Sequence, residues 1–348
     1  MTRSERANKR EMDPEISIGH GSGGAMTRDL IEGLFQSSFN NDILDRLSDS
    51  AVININNSSL AFTTDSYVID PVFFPGGNIG KLAICGTVND LAVSGSVPAY
   101  ITCGFIIEEG FSISQLKEII QSMANEARVA GVKIVAGDTK VVNRGKCDKI
   151  FINTSGIGLL KNRDISISTA GRISPGDKIL INGPIGDHAI AILKARGDLG
   201  IELDIESDCA SLNDLISQVM VYQGDIIFMR DATRGGLATV LVELAEMTGS
   251  VIEISEPDIP VRESVKSVCE LLGFDPLYLA NEGKVVMVVS QQKCDLILET
   301  LRSHKLGKES RVIGEIASMN KGEVILKTII GGKRQINMLA SDQLPRIC

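Results

Sequence analysis

The chain contains no tryptophan, only three histidines and few aromatic residues, which make up 4% of it. Its seven cysteines are widely spaced, without a CxxC pair or a Cys/His cluster, which argues against a zinc site and against a disulfide framework. No apolar run approaches the roughly 18 residues of a membrane span. The basic first ten residues lack the apolar stretch of a signal peptide. We therefore expect a cytoplasmic protein.

Positive charge is also scarce, because 35 Lys and Arg face 44 Asp and Glu, giving a net charge of −9. Such a surface repels nucleic acid and acidic membranes, so we expect neither as a partner. The hydrophobic content of 43% is that of an ordinary globular protein. A chain of 348 residues exceeds what one hydrophobic core usually serves, which favours two domains.

Strand and helix patterns alternate along the chain and predict a mixed α/β (α+β) fold. We expect a disordered lead-in over residues 1–14, a first α/β domain over 15–165, a second over 166–337 and a mobile tail over 338–348. The first domain is predicted to contain a hairpin of residues 51–55 and 60–64. A helix over 79–93 and a short buried strand over 133–136 follow.

A glycine-rich loop precedes the first helical pattern, with four glycines among residues 19–24. Glycines permit close backbone approach, and a helix N-terminus offers free N–H groups to an anion, so the loop could bind phosphate. The alternative is a flexible turn, because the loop is not a Walker A motif and lacks its lysine.

Four aspartates are predicted to lie where a regular element meets a loop, in Thr64-Asp65-Ser66, Asn89-Asp90, Gly137-Asp138-Thr139 and Asp231-Ala232-Thr233. Carboxylates gathered on one rim could hold Mg²⁺ ions on a nucleotide triphosphate. Each could instead be a helix cap or turn former. Lys140 and Glu282 could move protons beside such a site, or be solvated loop charges.

The C-terminal stretch 344–348 ends in a cysteine. Pro345 stiffens the approach and blocks a helix, so we expect an extended, unpacked segment. The eleven residues from Met338 to Cys348 could reach roughly 35 Å. Such a tail could deliver the Cys348 thiol into a distant pocket, or it could be an ordinary disordered terminus.

Together these motifs resemble the HypE family of hydrogenase maturation proteins, within the aminoimidazole ribonucleotide synthetase superfamily of ATP-using enzymes. The resemblance runs in order through the glycine loop, the four aspartate motifs, Asp231-Ala232-Thr233-Arg234-Gly235-Gly236, Asn281-Glu282-Gly283 and the terminal Pro345-Arg346-Ile347-Cys348. It implies a two-domain aminoimidazole ribonucleotide synthetase-like fold, with the N-terminal strands of two subunits joined in a homodimer.

The same resemblance implies an ATP-dependent carbamoyl dehydratase that converts a carbamoyl group on its own terminal Cys348 to a thiocyanate. HypF would supply the carbamoyl group, and the HypC–HypD complex would accept the cyanide for [NiFe] hydrogenase. Cys348 would be the carrier, and Lys140 and Glu282 the proton-handling pair. The implied Mg²⁺ ligands are Asp65, Asp90, Asp138 and Asp231, and the implied ATP-binding residues are Gly21, Ser22, Gly23, Gly24, Asn89, Gly137, Thr139, Thr233, Arg234, Gly235 and Gly236.

Two other functions compete with this one. The chain could be a small-molecule kinase or synthetase of the same superfamily, resembling thiamine-phosphate kinase or selenophosphate synthetase. The latter enzyme uses a cysteine or selenocysteine near its N-terminal glycine-rich loop, and residues 15–30 contain none. The chain could also be a non-catalytic, nucleotide-sensing adaptor whose tail docks on a partner.

Overall fold

The computed structural model describes residues 15–21, 23–39, 41–56, 58–160, 166–197, 203–339, 343–344 and 347. These residues confirm the predicted mixed α/β fold, because they form two main sheets, each packed against helices. The predicted lead-in over residues 1–14 lies outside the described residues. Among the described helices, none is both long and apolar enough to cross a membrane.

The N-terminal sheet has five strands in the order β1-β2-β7-β5-β6, and a two-stranded ribbon of β3 and β4 lies apart from it. Its β5 and β6 are parallel, whereas the other neighbours are antiparallel. The predicted hairpin is confirmed, because β1 pairs directly with β2. The bounds are β1 Ala51–Ile55, β2 Ser58–Tyr67, β3 Phe73–Phe74, β4 Gly77–Asn78, β5 Val97–Glu108, β6 Lys133–Val142 and β7 Ile150–Leu160.

Helix α3 is the central element of the N-terminal half and confirms the helix predicted over 79–93. The Asn78 side chain caps it by accepting from the N–H groups of Gly80 and Lys81. Thirteen of its fifteen residues are buried, because β2 and β7 lie on one side and the C-terminal half on the other. The helices of this half are α1 Ala25–Leu30, α2 Ser37–Phe39, α3 Ile79–Val93 and α4 Ile113–Ala130, with a π-helical turn over Ile31–Gln36.

The C-terminal half contains a seven-stranded sheet in the order β14-β13-β10-β12-β8-β11-β9. Its β11 consists of buried Val and Met between two neighbours, as expected for a strand covered on both faces. The strands are β8 Lys178–Ile181, β9 Ile226–Asp231, β10 Ser250–Ser255, β11 Val285–Val289, β12 Arg311–Met319, β13 Glu323–Lys327 and β14 Lys333–Ile336. The helices are α5 Ser166–Thr169, α6 Asp187–Arg196, α7 Asn213–Val219, α8 Gly236–Thr248, α9 Glu263–Leu272 and α10 Cys294–Ser303.

Strand β6 differs from the prediction of a short buried strand over 133–136. It is ten residues long, and its first nine residues are exposed. Pairing with β5 alone carries the strand on through Asp138, which lies opposite Gly104. An edge strand of this kind needs no buried face, so its sequence lacks the pattern of a packed strand.

The expected position of the four aspartates at element ends is wrong for three of them. Asp138 lies within β6, Asp65 within β2 and Asp90 within α3. Only Asp231 ends a strand, β9. The reason is that hydrogen bonding to neighbouring strands extends β2 and β6 beyond the apolar residues that mark them in the sequence.

The C-terminal segment is packed, not unpacked as predicted, at its described residues. Leu344 is 7% exposed and Ile347 is 3% exposed, and both belong to the core shared with α6 and α9. The Gln343 side chain accepts a hydrogen bond of 3.2 Å from the Asp275 N–H. Burial of two apolar side chains thus overrides the stiff, proline-containing sequence. Pro345, Arg346 and Cys348 lie outside the described residues.

Candidate active site

The structure gathers three of the four predicted metal ligands at the junction of β2, α3 and β9. Asp90 on α3 accepts a 2.7 Å hydrogen bond from the Thr63 hydroxyl of β2. Asp65 on β2 accepts longer ones from the Tyr67 and Thr87 hydroxyls. Asp231 is buried at the end of β9. The packing of α3 against both sheets therefore brings carboxylates from three distant parts of the chain together.

Burial and mutual repulsion oppose charge on this cluster. Burial raises the pKa of Asp90 well above its usual value, and the charges of Asp65, Asp231 and Asp49 raise it further. Burial likewise raises the pKa of Asp231, with Asp49 and Asp65 adding to the rise. Burial also raises the pKa of Asp65, although the Arg234 charge acts in the opposite direction. The cluster is therefore short of positive charge.

Asp49 is a fourth member of this cluster that the sequence reasoning missed. Its carboxylate forms a 3.1 Å ion pair with Arg230, the residue before Asp231. Arg230 also pairs with Glu243. The signal was available, because Ser48-Asp49-Ser50 precedes β1 and repeats the pattern of a small hydroxyl residue on each side of the aspartate seen in Thr64-Asp65-Ser66.

The two glycine motifs meet at Arg234, which donates a 3.0 Å hydrogen bond to the Gly21 carbonyl. Gly23 has a φ of +82°, and a Cβ atom there would lie 2.7 Å from the Arg234 Cβ, so only glycine fits. Gly24 precedes α1. The predicted nucleotide residues Gly21, Gly23, Gly24 and Arg234 are thus brought together, while Ser22 lies outside the described residues.

The first N–H group of α1 and one N–H group of the glycine loop before it are engaged within the chain. The Ala25 N–H donates to the Leu339 carbonyl at 2.8 Å, and the Gly23 N–H donates to the Thr27 hydroxyl at 2.9 Å. A phosphate at this helix end would have to replace the Leu339 contact. The segment that leads into the tail therefore occupies one of the donors that the predicted anion site would use.

The second glycine motif begins α8 and packs tightly against the backbone. A Cβ atom at Gly236 would lie 2.5 Å from the Leu279 carbonyl oxygen, and Gly235 adopts a left-handed conformation before the helix. The Thr233 carbonyl closes the turn by accepting from the Gly236 N–H at 2.9 Å. Close helix packing explains these glycines, and it also places a helix N-terminus beside Asp231.

Asn89 bridges the two halves of the protein. Its amide nitrogen donates to the Ala210 carbonyl at 3.1 Å and to the Glu282 carbonyl at 3.4 Å, and its oxygen accepts from the Leu212 N–H at 2.8 Å. The side chain is 1% exposed. Asn89, predicted to bind the nucleotide, thus fixes α3 to the loop that carries Glu282.

Glu282 is 2% exposed, and its Oε1 has no hydrogen-bond partner among the described residues. Burial raises the pKa of Glu282 well above its usual value, and the charges of Cys209, Asp231 and Asp208 raise it further. Burial and the neighbouring negative charges therefore favour the protonated, neutral form of this carboxyl group. A buried acid with an unused oxygen, held beside Asp231 and Arg234, is suited to proton transfer.

Asp208 holds the Glu282 loop in place. Its carboxylate accepts from the N–H groups of Glu282 at 3.0 Å and Gly283 at 3.2 Å, and it pairs with the Lys284 ammonium at 2.8 Å. Burial favours a raised pKa for Asp208, but the Lys284 charge and these hydrogen bonds outweigh it and lower the pKa. Asp208 therefore loses its proton at a lower pH than Glu282 does.

The remaining predicted residues lie apart from this cluster on the exposed edge strand β6. There Asp138 accepts two hydrogen bonds from the Lys140 ammonium and one from the Thr139 N–H. Lys140 hydrogen bonding lowers the pKa of Asp138. Gly137 packs against the Cys103 carbonyl. Within one chain, Lys140 and Asp138 are thus separated from Asp65 by two intervening strands, β7 and β5.

The carboxylate cluster fits a divalent cation by its chemistry rather than by a finished coordination sphere. Across the described parts of the chain, no three Asp, Glu, His or Cys side chains converge closely enough to hold a metal ion. Mg²⁺ usually takes one or two carboxylates, with water and phosphate oxygens completing its shell. Asp65, Asp90 and Asp231 offer such oxygen ligands where the electrostatics call for a cation.

Family models match both halves of the chain. The N-terminal domain of AIR synthase related proteins matches residues 47–160, and their C-terminal domain matches residues 174–327. The carbamoyl dehydratase HypE of Escherichia coli K12 is 47% identical over 339 residues, covering 96% of this chain and 99% of that protein.

Solved structures give the same result. A HypE–HypF complex contains a chain 47% identical to this one, with a TM-score of 0.84, over 89% of this chain and 99% of that one. The hydrogenase maturation protein HypE in complex with ATP is 45% identical, with a TM-score of 0.80, over 96% of this chain and all of that one. Thiamine monophosphate kinase from Aquifex aeolicus shares the fold alone, at 16% identity and a TM-score of 0.63 over 87% and 97% of the two chains.

Replacing Asp208 by asparagine is expected to destabilise the protein by about 3 kcal/mol at pH 7, because it leaves the buried Lys284 charge without its counter-ion. The D208N/K284M double variant should recover part of this loss. Urea unfolding of the wild type, both single variants and the double variant measures the coupling. A D208N protein within about 0.5 kcal/mol of the wild type would contradict this assignment.

Unfolding at low pH tests whether the ionised form of Asp208 is what stabilises the protein. The pKa of Asp208 in the folded protein lies below its ordinary value of 3.8, so the ionised side chain stabilises the folded state above pH 3.8. This stabilisation is lost as the pH falls through the pKa of the folded state. The free energy of unfolding of D208N should therefore lack this loss at low pH. K284M keeps the Asp208 carboxylate, but without Lys284 the pKa of Asp208 should be lowered less.

Proposed function

The chain belongs to the HypE family of carbamoyl dehydratases within the AIR synthase related proteins, and from this membership and its site we propose how it acts. It is an enzyme of hydrogenase maturation that dehydrates a carbamoyl group with ATP. The substrate is the S-carbamoyl group on its own Cys348, and the product is a thiocyanate. One observation carries the self-acting part of this proposal: Leu344 and Ile347, just before Cys348, are buried in the enzyme's own core.

The reaction needs ATP because an amide oxygen is a poor leaving group. Transfer of the γ-phosphoryl group to the carbamoyl oxygen makes that oxygen part of a phosphate, which leaves as the C–O bond breaks. The two N–H protons of the carbamoyl nitrogen depart, and the carbon–nitrogen triple bond forms. One of these protons remains on the phosphate and the other is released, so the products that balance are the thiocyanate, ADP, hydrogen phosphate and one proton.

Glu282 is the group we assign to proton handling within the chain. The raised pKa of Glu282 favours its protonated form, so it must first lose a proton before it can act as a base. Its unpaired Oε1 is then free to accept a proton from the carbamoyl nitrogen. Asp208 keeps the Glu282 backbone fixed during this transfer.

Mg²⁺ is the cation we propose for the cluster, with its one or two carboxylate ligands drawn from Asp65, Asp90 and Asp231. When bound, it neutralises charge on the nucleotide phosphates and aligns them for transfer. The raised pKa values of these aspartates support the assignment, because burial makes their ionisation costly and a bound cation would offset that cost. Arg234 and the glycine loop lie on the side where phosphates would enter.

Lys140 lies too far along the sheet to reach the carboxylate cluster of its own chain, so its proposed role in proton transfer requires a second subunit. The exposed face of the N-terminal sheet carries large apolar side chains on adjacent strands, and a homodimer would cover them. A partner's β6 could then bring Asp138 and Lys140 to the cluster. The apolar residues that are between 41% and 50% exposed on this sheet include Phe62, Tyr100, Ile106, Ile134 and Leu159.

HypF is the proposed carbamoyl donor, in line with the solved HypE–HypF complex of a relative. The HypC–HypD complex is the proposed cyanide acceptor, because the thiocyanate carbon must leave for a separate metal-bearing scaffold. Neither the small-molecule kinase nor the nucleotide-sensing adaptor is favoured, since the kinase likeness extends to the fold alone.

Adding MgATP to the carbamoylated protein is expected to remove one water from the C-terminal peptide, as measured by mass spectrometry. Cys348→Ser should accept no carbamoyl thioester, while Cys147→Ser, which changes a partly exposed thiol elsewhere, should behave as the wild type. Fully carbamoylated, folded protein that retains the mass of the carbamoyl group after ATP hydrolysis would contradict the proposal.

Asp90→Asn is expected to stabilise the metal-free protein at pH 7 by about 1 kcal/mol, roughly the free energy of one pKa unit, because it removes a buried carboxyl group whose raised pKa opposes folding. It should also abolish the rise in melting temperature that Mg²⁺ gives the wild type. Thermal unfolding with and without Mg²⁺ measures both effects. Asp138→Asn is the matched control, because Asp138 is exposed and already paired with Lys140. A lower melting temperature for metal-free D90N would count against the cluster.

Mixing two inactive variants tests whether Lys140 acts across the dimer. In a heterodimer of Lys140→Ala and Glu282→Gln subunits, one site combines the intact Lys140 of one subunit with the intact Glu282 of the other. Statistical reassembly should therefore convert about one quarter of the carrier that the wild type converts, from the arithmetic of random pairing. Single-turnover conversion after subunit exchange measures it. No recovery in verified heterodimers would place both residues in one subunit.

A further inference from the structure

A buried histidine contacts the C-terminal segment immediately before the terminal residue. His188, on α6, is fully buried, and its Nε2 lies 2.6 Å from the backbone carbonyl oxygen of Ile347. A carbonyl oxygen only accepts, so Nε2 carries the proton and donates. The Ile347 carbonyl belongs to the peptide group that continues into Cys348.

The other ring nitrogen has a partner that fixes this tautomer. Nδ1 of His188 lies 2.7 Å from the Ser207 hydroxyl, which in turn accepts a 3.0 Å hydrogen bond from the Cys209 N–H. With Nε2 protonated, a neutral ring offers Nδ1 as an acceptor, and Ser207 donates to it. The chain of donors therefore runs from Cys209 through Ser207 and His188 to the Ile347 carbonyl.

The surroundings keep the ring neutral and oriented. Burial lowers the pKa of His188, although the nearby Asp208 charge opposes this. The Asp208 carboxylate remains charged, and the Lys284 ammonium compensates that charge. The Phe74 ring meets the imidazole edge to face, with a centroid distance of 5.6 Å, which fixes the plane of the imidazole.

The same short segment also positions Glu282. Ser207 orients His188 toward the tail, while its neighbour Asp208 holds the backbone of Glu282 and Gly283. Residues 207 and 208 therefore connect the bound tail and the proposed proton-handling acid through two adjacent side chains. Any displacement of this segment would move both.

We propose that His188 and Ser207 form a latch that binds the backbone of the C-terminal tail at Ile347 and so positions the carrier arm of the enzyme. His188 is a positioning residue, since it contacts the tail backbone and not the reacting group. The hydrogen bond of the latch orients the tail, and the burial of the Leu344 and Ile347 side chains contributes apolar binding energy. The carrier role rests on the proposed function, whereas binding of the tail by His188 does not.

Two substitutions at His188 test whether the Nε2 hydrogen-bond donor, and not the volume of the imidazole ring, holds the tail. In His188→Gln the amide nitrogen can occupy the place of Nε2 and donate to Ile347. In His188→Asn the amide nitrogen corresponds to Nδ1 and falls short of the carbonyl. We expect release of Cys348 by carboxypeptidase Y, which cleaves the peptide bond of the Ile347 carbonyl, to be about threefold to tenfold faster in H188N than in the wild type, as followed by intact mass without ATP.

H188Q should remain close to the wild type, because it keeps the donor. An unchanged rate in folded H188N, or equal acceleration in both variants, would overturn the latch. Because digestion proceeds without ATP, a failed latch is distinguishable from a failed dehydration reaction. Loss of dehydration with normal tail protection would instead point to the active site.

A measurement on the unsubstituted ring covers the case in which H188N does not fold. The chain has only three histidines, His20, His188 and His304, so their ¹⁵N signals are few enough to assign. We expect His188 to be neutral with the proton on Nε2, and its signal to change when residues 347–348 are removed. A proton on Nδ1, or a signal that ignores this truncation, would exclude the proposed hydrogen bond.

Discussion

The buried pairing of Asp208 with Lys284 is the interaction on which the rest of the site depends. Both side chains are less than 10% exposed, so each charge would be costly without the other. Pairing with Lys284 lowers the pKa of Asp208, so its carboxylate stays ionised and accepts hydrogen bonds from two backbone N–H groups of the Glu282 loop. Asn89 then ties that loop to α3, so one ion pair fixes the C-terminal acid relative to the N-terminal carboxylates.

Opposite electrostatics hold on the two sides of Glu282. Asp208 has a counter-ion within the chain, and its pKa is lowered, whereas Asp65, Asp90 and Asp231 have raised pKa values that burial dominates. A fold that keeps several like charges together without full compensation loses stability as they ionise. The cluster therefore makes physical sense as a place where a cation and a phosphate-bearing ligand bind together. The ionisation of Glu282 depends on both regions, because the charges of Asp231 and Asp208 raise its pKa.

The sequence predicted elements whose signal is local and missed features that depend on distant partners. Helix α3 was predicted with its observed bounds, because its small and apolar residues are continuous and Asn78 caps its start. Strand β6 was not, because its length derives from pairing with β5 rather than from a buried face. The aspartate motifs identified three members of one cluster, but their residue pattern could not reveal that Asp138 belongs to an outer edge.

Asp49 and His188 show two different reasons for an omission. Asp49 has a sequence pattern like that of Asp65, so a wider search for the same motif would have found it. His188 has no such pattern: it sits in an ordinary helix, and its partners Ser207 and Ile347 are 19 and 159 residues away. The predicted unpacked tail was wrong at Leu344 and Ile347 for the same reason, since a short apolar segment contains no record of the groove that receives it.

A carrier tail must be held during chemistry and released afterwards, and the contacts at Ile347 suit both requirements. They consist of two buried apolar side chains and a neutral hydrogen bond, with no ion pair among the described tail residues, so no buried charge is stranded when the tail leaves. The binding free energy from these contacts is similar in size to the conformational entropy lost when several tail residues are ordered. A neutral histidine donor is therefore better matched to a reversible arm than a lysine or arginine would be, because directional hydrogen bonding is obtained without a large desolvation barrier.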